Sequence, residues 1–293
     1  MGIPDLTYQR PASLAEACAL GRRLGSAAAY LAGGTELIPD FQRGVEPART
    51  LIALDAIGEL RGISVRDGVL RIGALATVAE VADSTLVRAR LPAFADAARA
   101  IGSPPIRSLA TVGGNFCRAV PCADLPPAAI VAGVRLRLVG LESERELDAV
   151  GFFIGPRQTV LEPGELLAEL LVPAQPPRSG ASYQRFARRA GAALAVAAVA
   201  ARVVLDADGR IAGARIALGA VAPVPLLVPR AASLLEGEAP SEALFARAAA
   251  ECAERALPVS DVRGSEAFRR ELVAVLARRA LAEAHRRAAE AGR

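Results

Sequence analysis

Apolar residues recur first at helical spacing and then in short strand-like runs at the start of the chain. Ser13 and Glu16 form a capping-box pattern, and the apolar positions after them predict a helix that ends at Gly25. AAYLA predicts a short buried strand, an amphipathic helical turn follows it, and TLIAL predicts the next strand. This order indicates a compact unit of strand, helix and strand.

The pattern then changes to a period of two across Asp67-Gly68, which predicts a tight hairpin within ISVRDGVLRIG. A helix is predicted to begin at Thr77, and a further helix runs through PAFADAARAIG. Strands are predicted at VRLRLV, ERELD and GELLAELLVP. The proline and glycine residues of segment 173–180 break every period and predict a linker.

Beyond the linker, three strand-like segments are followed by two alanine-rich amphipathic helices. Asp208-Gly209 marks a hairpin turn between the second and third of these strands. The chain is therefore predicted to be α+β, with a nucleotide-type region of about 175 residues and a smaller domain of sheet and helices.

Composition removes several classes of function. Hydrophobic residues make up 53% of the 293 positions, so a large core is expected. All 35 cationic residues are arginine and are spread thinly against 31 acids, which argues against a nucleic-acid groove. The most apolar run, 192–205, contains Arg202 and is shorter than the roughly 20 residues of a spanning helix, so no transmembrane segment is predicted.

The four cysteines are scattered, and the first residues lack the pattern of a secretory leader. These features predict a cytoplasmic, reducing location without structural disulfides. The single histidine, His285, lies among charges in a terminal helix and is interpreted as a solvated face residue. The sequence thus predicts neither a catalytic residue set nor a metal site on this chain.

Two glycine pairs are the strongest candidates for a binding site. Gly33-Gly34 lies between a predicted strand and helix, where backbone N–H groups and a missing Cβ favour a close anion. Gly113-Gly114 offers similar chemistry, and two such loops would suit a pyrophosphate. However, neither pair has the spacing of a known nucleotide motif, and a P-loop lysine is missing. The residues alone leave open both plain tight turns and a site for a phosphate-bearing ligand.

Four ordered motifs resemble a known family. AGGTEL (32–37), IGSPPIRSLATVGGN (101–115), PCADLPPAAIVAG (121–133) and LEPGELL (161–167) are similar to the FAD-binding (medium) flavoprotein subunit of the molybdenum hydroxylases. This family includes the carbon monoxide dehydrogenase medium subunit and the FAD domain of xanthine dehydrogenases. The resemblance implies FAD as cofactor.

The resemblance also implies a domain organisation. Residues 1–175 would form a PCMH-type FAD-binding domain of two α/β subdomains, about 1–56 and 57–175. Residues 180–293 would form a C-terminal domain of three antiparallel strands and a helical bundle.

Matched position by position, the motifs imply that Ala32 to Glu36 and Thr111 to Asn115 wrap the FAD pyrophosphate. Asp124 would accept hydrogen bonds from the ribityl hydroxyls, although it also reads as a helix N-cap. Ile101 and Leu161 would line the flavin and adenine regions or simply belong to the core. The cofactor-binding residues implied are Ala32, Gly33, Gly34, Thr35, Glu36, Leu37, Ile101, Thr111, Gly113, Gly114, Asn115, Asp124, Leu161 and Arg185.

In this family, the organic substrate reacts at a molybdopterin on a large subunit, and electrons cross two [2Fe–2S] clusters on a small subunit. The resemblance implies that this chain passes them through FAD to NAD, oxygen or another acceptor, within a dimer of heterotrimers. The alternatives are a non-redox module that binds a nucleotide or coenzyme A, and a self-sufficient flavin oxidase.

Cys117 and Cys122 are similar in spacing to cysteines of a branch of this family that holds an extra [4Fe–4S] cluster. The additional cysteine-bearing insertion of that branch is missing here, so both thiols are expected near the flavin.

Overall fold

The structure, a computed structural model, describes residues 5–189 and 191–292. The outer ends of the two predicted domains, residues 1–4 and Arg293, lie outside the described residues, as does Ala190. The helices are α1 (Leu14–Leu24), α2 (Leu37–Gln42), α3 (Val78–Asp83), α4 (Thr85–Arg90), α5 (Pro92–Ala100), α6 (Pro104–Leu109), α7 (Val112–Cys117), α8 (Leu125–Ala132), α9 (Pro229–Ser233), α10 (Glu242–Arg255) and α11 (Glu266–Glu290). The strands are β1 (Thr7–Gln9), β2 (Ala28–Leu31), β3 (Thr50–Ala53), β4 (Ile63–Arg66), β5 (Val69–Gly73), β6 (Arg135–Val139), β7 (Glu144–Asp148), β8 (Phe153–Gly155), β9 (Gln158–Thr159), β10 (Leu166–Val172), β11 (Ser179–Ala187), β12 (Ala195–Leu205), β13 (Ile211–Gly219) and β14 (Leu226–Leu227).

A small parallel sheet, with the order β1-β3-β2, opens the chain. Its helix α1 begins where the Ser13 hydroxyl accepts a hydrogen bond from the Glu16 N–H, and it ends at Gly25 with a φ of 51°. Helix α2 connects the parallel strands β2 and β3. The predicted unit of strand, helix and strand is therefore confirmed.

A five-stranded antiparallel sheet, β4-β5-β10-β6-β7, forms the second layer. Asp67 and Gly68 make the predicted hairpin turn, with φ angles of 51° and 78°. Strand β10, which closes this part of the sequence, lies in the centre of the sheet. It is buried along almost its whole length because it pairs on both sides with β5 and β6.

The part of the chain after the predicted linker contains a sheet with the order β11-β12-β13-β14, in which the three predicted strands are joined by a two-residue fourth. Successive residues of β12 pack on opposite sides, as the period of a strand requires. Val199 and its alternate neighbours pack in a core with α10 and α11, whereas Ala200 packs in a core with α5 and α8. The α+β fold predicted from the sequence is confirmed.

Helix α8 connects the parts of the chain before and after the predicted linker. Every residue from Leu125 to Ala132 is buried, because the helix contacts α5 before the linker and β12 and β13 after it. An ion pair of 2.7 Å between the Arg287 guanidinium of α11 and the Asp96 carboxylate of α5 adds a second link. Among the described residues, no helix combines the length and the apolar character needed to cross a bilayer.

The linker predicted for 173–180 is shorter in the structure, because Ser179 and Gly180 already belong to β11 and pair with Val204 and Val203. A Cβ on Gly180 would lie 2.2 Å from the Ala284 carbonyl oxygen of α11. Glycine at this position therefore reflects close packing of a strand on a helix backbone.

We expect Gly180→Ala to destabilise the C-terminal domain, because the methyl group would meet main-chain atoms that cannot rotate away. Overpacking of this kind costs about 1–3 kcal/mol in free energy of unfolding. Thermal denaturation followed by circular dichroism measures the change. Gly213→Ala is the matched control, since Gly213 lies in β13 of the same sheet with open space at its Cβ position. Equal melting temperatures for the two variants would contradict the packing explanation.

Candidate functional site

The two glycine segments meet directly in the structure. A Cβ on Gly33 would lie 1.8 Å from the carbonyl oxygen of Leu109, just before the second segment. The second segment is held in turn by hydrogen bonds of Val78 N–H to the Ala110 carbonyl (2.8 Å) and Val112 N–H to the Ala76 carbonyl (2.9 Å). One site can therefore contain both glycine pairs, as the sequence predicts.

The first segment presents main-chain donors. Gly34 has a φ of 68°, which favours glycine, and turns the chain from β2 into α2. Within the described part of the chain, none of the backbone N–H groups of residues 33–36 has a hydrogen-bond acceptor. These consecutive donors are available for an anion.

The second segment differs from its sequence interpretation. It forms the short helix α7, in which the Gly114 N–H donates to the Thr111 hydroxyl (3.1 Å) and the Asn115 N–H to the Thr111 carbonyl (3.0 Å). The Gly113 N–H donates to the Ala74 carbonyl at 2.7 Å. The expectation of free backbone donors at this second pair was wrong, because the helix and its support use them. Its open group is instead the side-chain oxygen Oδ1 of Asn115, which is buried without a partner among the described residues.

Both segments line a cavity of ≈ 530 Å³. The sequence-predicted residues on its wall are Ala32, Gly33, Gly34, Thr35, Glu36, Leu37, Ile101, Thr111, Gly114, Asn115 and Leu161. Cys117, expected near the flavin, also lines the cavity, and lining residues that the sequence did not indicate include Tyr30, Glu46, Ile106, Arg118 and Val120. Smaller cavities of ≈ 350 Å³ and ≈ 310 Å³ share lining residues with either side of it, so the space is elongated.

Three predicted residues are not on the cavity wall. Gly113 packs against Ala74, where a Cβ would lie 2.7 Å from the alanine methyl group. Asp124 is buried and accepts hydrogen bonds from the Tyr183 hydroxyl (2.6 Å) and the Arg185 guanidinium (3.0 Å). Its side chain makes no capping bond to α8, so the N-cap interpretation holds for its position only. Burial raises the pKa of Asp124 despite the opposing effect of Arg185.

An ion cluster follows the first segment, in which a buried carboxylate meets two arginines, Arg43 and Arg157, that are partly exposed. The Asp40 carboxylate of α2 is 1% exposed and pairs with the guanidinium groups of Arg43, Arg118 and Arg157, the last with a 3.1 Å contact between Nη1 and Oδ2. Arg118 follows α7 and lines the cavity. The only sequence signal for this cluster was an acid among the apolar positions of the α2 pattern.

A second ion pair fixes the segment that carries Leu161. The Arg145 guanidinium donates to both carboxylate oxygens of Glu165, at 2.9 Å and 2.8 Å, and the Glu162 N–H donates to one of them. Arg145 therefore holds the pKa of Glu165 below its ordinary value. This network ties the loop to β7 and keeps Leu161 at the cavity wall.

The two thiols predicted near the site lie in adjoining cavities, Cys117 in the central one and Cys122 in the ≈ 350 Å³ one. Cys117 is exposed towards the cavity and Cys122 is half-buried, and desolvation of each thiolate by the surrounding protein raises the pKa of both thiols. Both groups are therefore protonated thiols at neutral pH rather than activated nucleophiles.

Comparison with known proteins gives two family matches. Residues 4–175 match the model described as FAD binding domain in molybdopterin dehydrogenase, and residues 181–284 match the CO dehydrogenase flavoprotein C-terminal domain.

Individual relatives resemble the chain over nearly its whole length. The carbon monoxide dehydrogenase medium chain of Afipia carboxidovorans is 34% identical over 282 residues, which cover 96% of this chain and 97% of that one. The xanthine dehydrogenase FAD-binding subunit of Escherichia coli O157:H7 is 30% identical over 281 residues, 95% of each chain. A chain of the carbon monoxide dehydrogenase structure from Hydrogenophaga pseudoflava aligns with a TM-score of 0.94 at 33% identity, over 98% of this chain and 99% of that chain.

We expect Gly33→Ala to lower the affinity for FAD by at least about tenfold, because its methyl group would push the two glycine segments apart. Titration of the flavin-free chain with FAD, followed by flavin fluorescence, measures the dissociation constant. Gly58→Ala is the control, since its Cβ would meet open space. Unchanged FAD affinity in the Gly33 variant would show that the contact does not set the geometry of the site.

Proposed function

Because the chain belongs to the FAD-binding flavoprotein family of the molybdopterin dehydrogenases, we propose that it is the electron-transferring medium subunit of a molybdenum hydroxylase complex. It is thus an FAD-containing oxidoreductase component. In the proposed role, the chain accepts electrons from the [2Fe–2S] clusters of a small subunit and delivers them to NAD, oxygen or another acceptor. The organic substrate would react on a large molybdopterin subunit.

The observation that carries this proposal is the fit of the central cavity to a dinucleotide. An anionic diphosphate needs several donors, and the free N–H groups of residues 33–36 supply them, with no side chain at Gly33 and Gly34. The buried Oδ1 atom of Asn115 needs a donor, which a hydroxyl of the cofactor can provide. The elongated space beside these groups suits a ligand with two separated ends.

We assign the remaining predicted residues by their positions. Leu161 and Ile101 would contact the ring systems at the two ends of the cavity, in agreement with their apolar side chains. Asp124 and Arg185 are not on the wall of the central cavity and form a largely buried ion pair. Their assignment to the ribityl chain and the flavin stays a prediction, as does that of Gly113.

Bound FAD supplies the electron-transfer chemistry, since the reactivity belongs to the cofactor. The chain binds and orients it through the main-chain donors and the apolar side chains of the cavity wall. The protonated Cys117 and Cys122 add no negative charge beside the cofactor. The chain's part is thus to hold the flavin in a fixed environment.

The quaternary structure belongs to the same proposal. The relatives include medium chains of multisubunit enzymes, which supports an assembly with large and small subunits, and we propose a dimer of heterotrimers. Domain limits of 1–175 and 180–293, with an internal division near residue 56, are part of the proposal. The cytoplasmic location expected from the sequence stays a prediction.

We expect the purified chain to be yellow and to reduce artificial electron carriers, but not to oxidise an organic donor without partner subunits. Absorbance spectra, FAD content after denaturation and diaphorase assays test this expectation. A colourless chain that cannot be reconstituted with FAD would support the non-redox nucleotide-binding module instead. Turnover of an organic donor by the isolated chain would indicate a self-sufficient oxidase.

We expect Asn115→Leu to keep or raise the stability of the flavin-free chain while weakening FAD binding. The substitution removes a buried oxygen that has no partner before the cofactor binds. Melting temperatures without FAD and dissociation constants for FAD measure the two effects. Gln175→Leu is the control, and we expect it to lower the melting temperature while leaving the FAD affinity unchanged. Its amide already donates hydrogen bonds to the Ala132 and Pro173 carbonyls, which the substitution removes. A destabilised Asn115 variant with normal FAD affinity would contradict the assignment.

A further inference from the structure

The ion cluster around Asp40 is unusual in its balance of charge. One carboxylate with 1% exposure faces three guanidinium groups that come from three parts of the chain. Arg43 directly follows α2, three residues after Asp40, Arg118 follows α7, and Arg157 lies in the turn between β8 and β9. The position is otherwise suited to an apolar residue, since the neighbouring Phe41 packs in a hydrophobic cluster.

Stability alone is a weak reason for such a cluster. Desolvation of buried charges costs as much as their attraction returns, so an apolar residue often serves a core equally well. A buried ion pair can, however, fix one arrangement of the segments that it joins, because the charges tolerate no other packing.

The cluster joins the two segments that form the cavity. Asp40 lies in α2, which follows directly from the free N–H groups of residues 33–36. Arg118 contacts Asp40 directly and lies within 3.8 Å of the Glu36 carboxylate, measured from Nε to Oε2. Arg157 also connects Asp40 to the segment that follows α7, since its backbone N–H donates a hydrogen bond to the Ala119 carbonyl at 2.8 Å.

The proposed function assigns an FAD diphosphate to this cavity, and the present inference rests on that assignment. We propose that Asp40 is a positioning residue for the FAD diphosphate. Its carboxylate fixes the donor segment 33–36 relative to residues 118–119 and holds the Arg118 guanidinium at the cavity wall. The cation then lies beside the main-chain donors before the cofactor arrives, so binding does not have to order it.

Asp40→Asn tests the proposal with ligands that differ in their phosphates. We expect its affinity for FAD, and for ADP in competition with FAD, to fall by about tenfold or more, while its affinity for riboflavin, which lacks phosphate, changes by less than about twofold. Fluorescence titration measures FAD and riboflavin directly. A merely structural role would weaken all three ligands together.

Two arginine variants provide a matched pair that does not depend on a fully buried charge. Arg157→Gln and Arg43→Gln each remove one cation from Asp40, and both residues line the adjoining ≈ 350 Å³ cavity rather than the central one, so they differ in their connections and not in their place. Arg157 connects α2 to the segment beside Ala119, whereas Arg43 directly follows α2 in the same segment as Asp40. We expect Arg157→Gln to lower the affinity for FAD and for ADP by about threefold to tenfold. Arg43→Gln should leave both affinities nearly unchanged. Melting temperatures and circular dichroism establish that each variant is folded.

The outcomes separate this inference from the proposed function. If the wild-type chain binds FAD and the Asp40 and Arg157 variants keep its affinity, the positioning role is refuted while the flavoprotein assignment stands. Equal losses for FAD and riboflavin, or equal effects of the two arginine variants, would also refute it. If the wild-type chain itself does not bind FAD, the proposed function fails first.

Discussion

The site depends on one close approach between two stretches of backbone, at Gly33 and the Leu109 carbonyl. No side chain fits between them, so the glycine there lets two separate parts of the chain share a wall. Residues 33–36, with their free N–H groups, then line a cavity whose other wall is the second part. The glycine is needed first for packing, and the space for an anion follows from it.

Charge is used in a consistent way around this wall. Asp40, Asp124 and Glu165 are each largely buried, and each is bound by at least one arginine from another segment. Arginine suits this use because its planar guanidinium can serve several acceptors at once and stays charged when buried. The sequence contains no lysine, so each of these ion pairs is made by an arginine, whose guanidinium group has a rigid planar geometry. These ion pairs hold the loops that carry the lining residues.

Local patterns in the sequence were sufficient for most of the fold. The hairpin at Asp67-Gly68 and the capped helix at Thr77 follow from neighbouring residues, and both are present. Helix α7 was missed because a glycine pair argues against a helix. It forms nevertheless, since Thr111 caps it and Gly113 packs on Ala74. Strand β10 was predicted, but its central place was not, because the partners of a strand are not encoded in its own period.

The same reasoning explains the limits of the site prediction. The four motifs indicated most of the wall, since those residues lie close to each other in sequence within each segment. The Asp40 cluster brings together residues that are far apart in the chain, and no local pattern marks such a contact.

Helix α8 has a further consequence for how the chain folds during synthesis. During translation, the side of α8 that packs against β12 and β13 stays exposed to water until those later strands have been synthesised. The core of the N-terminal half is therefore completed only after the C-terminal half has been made.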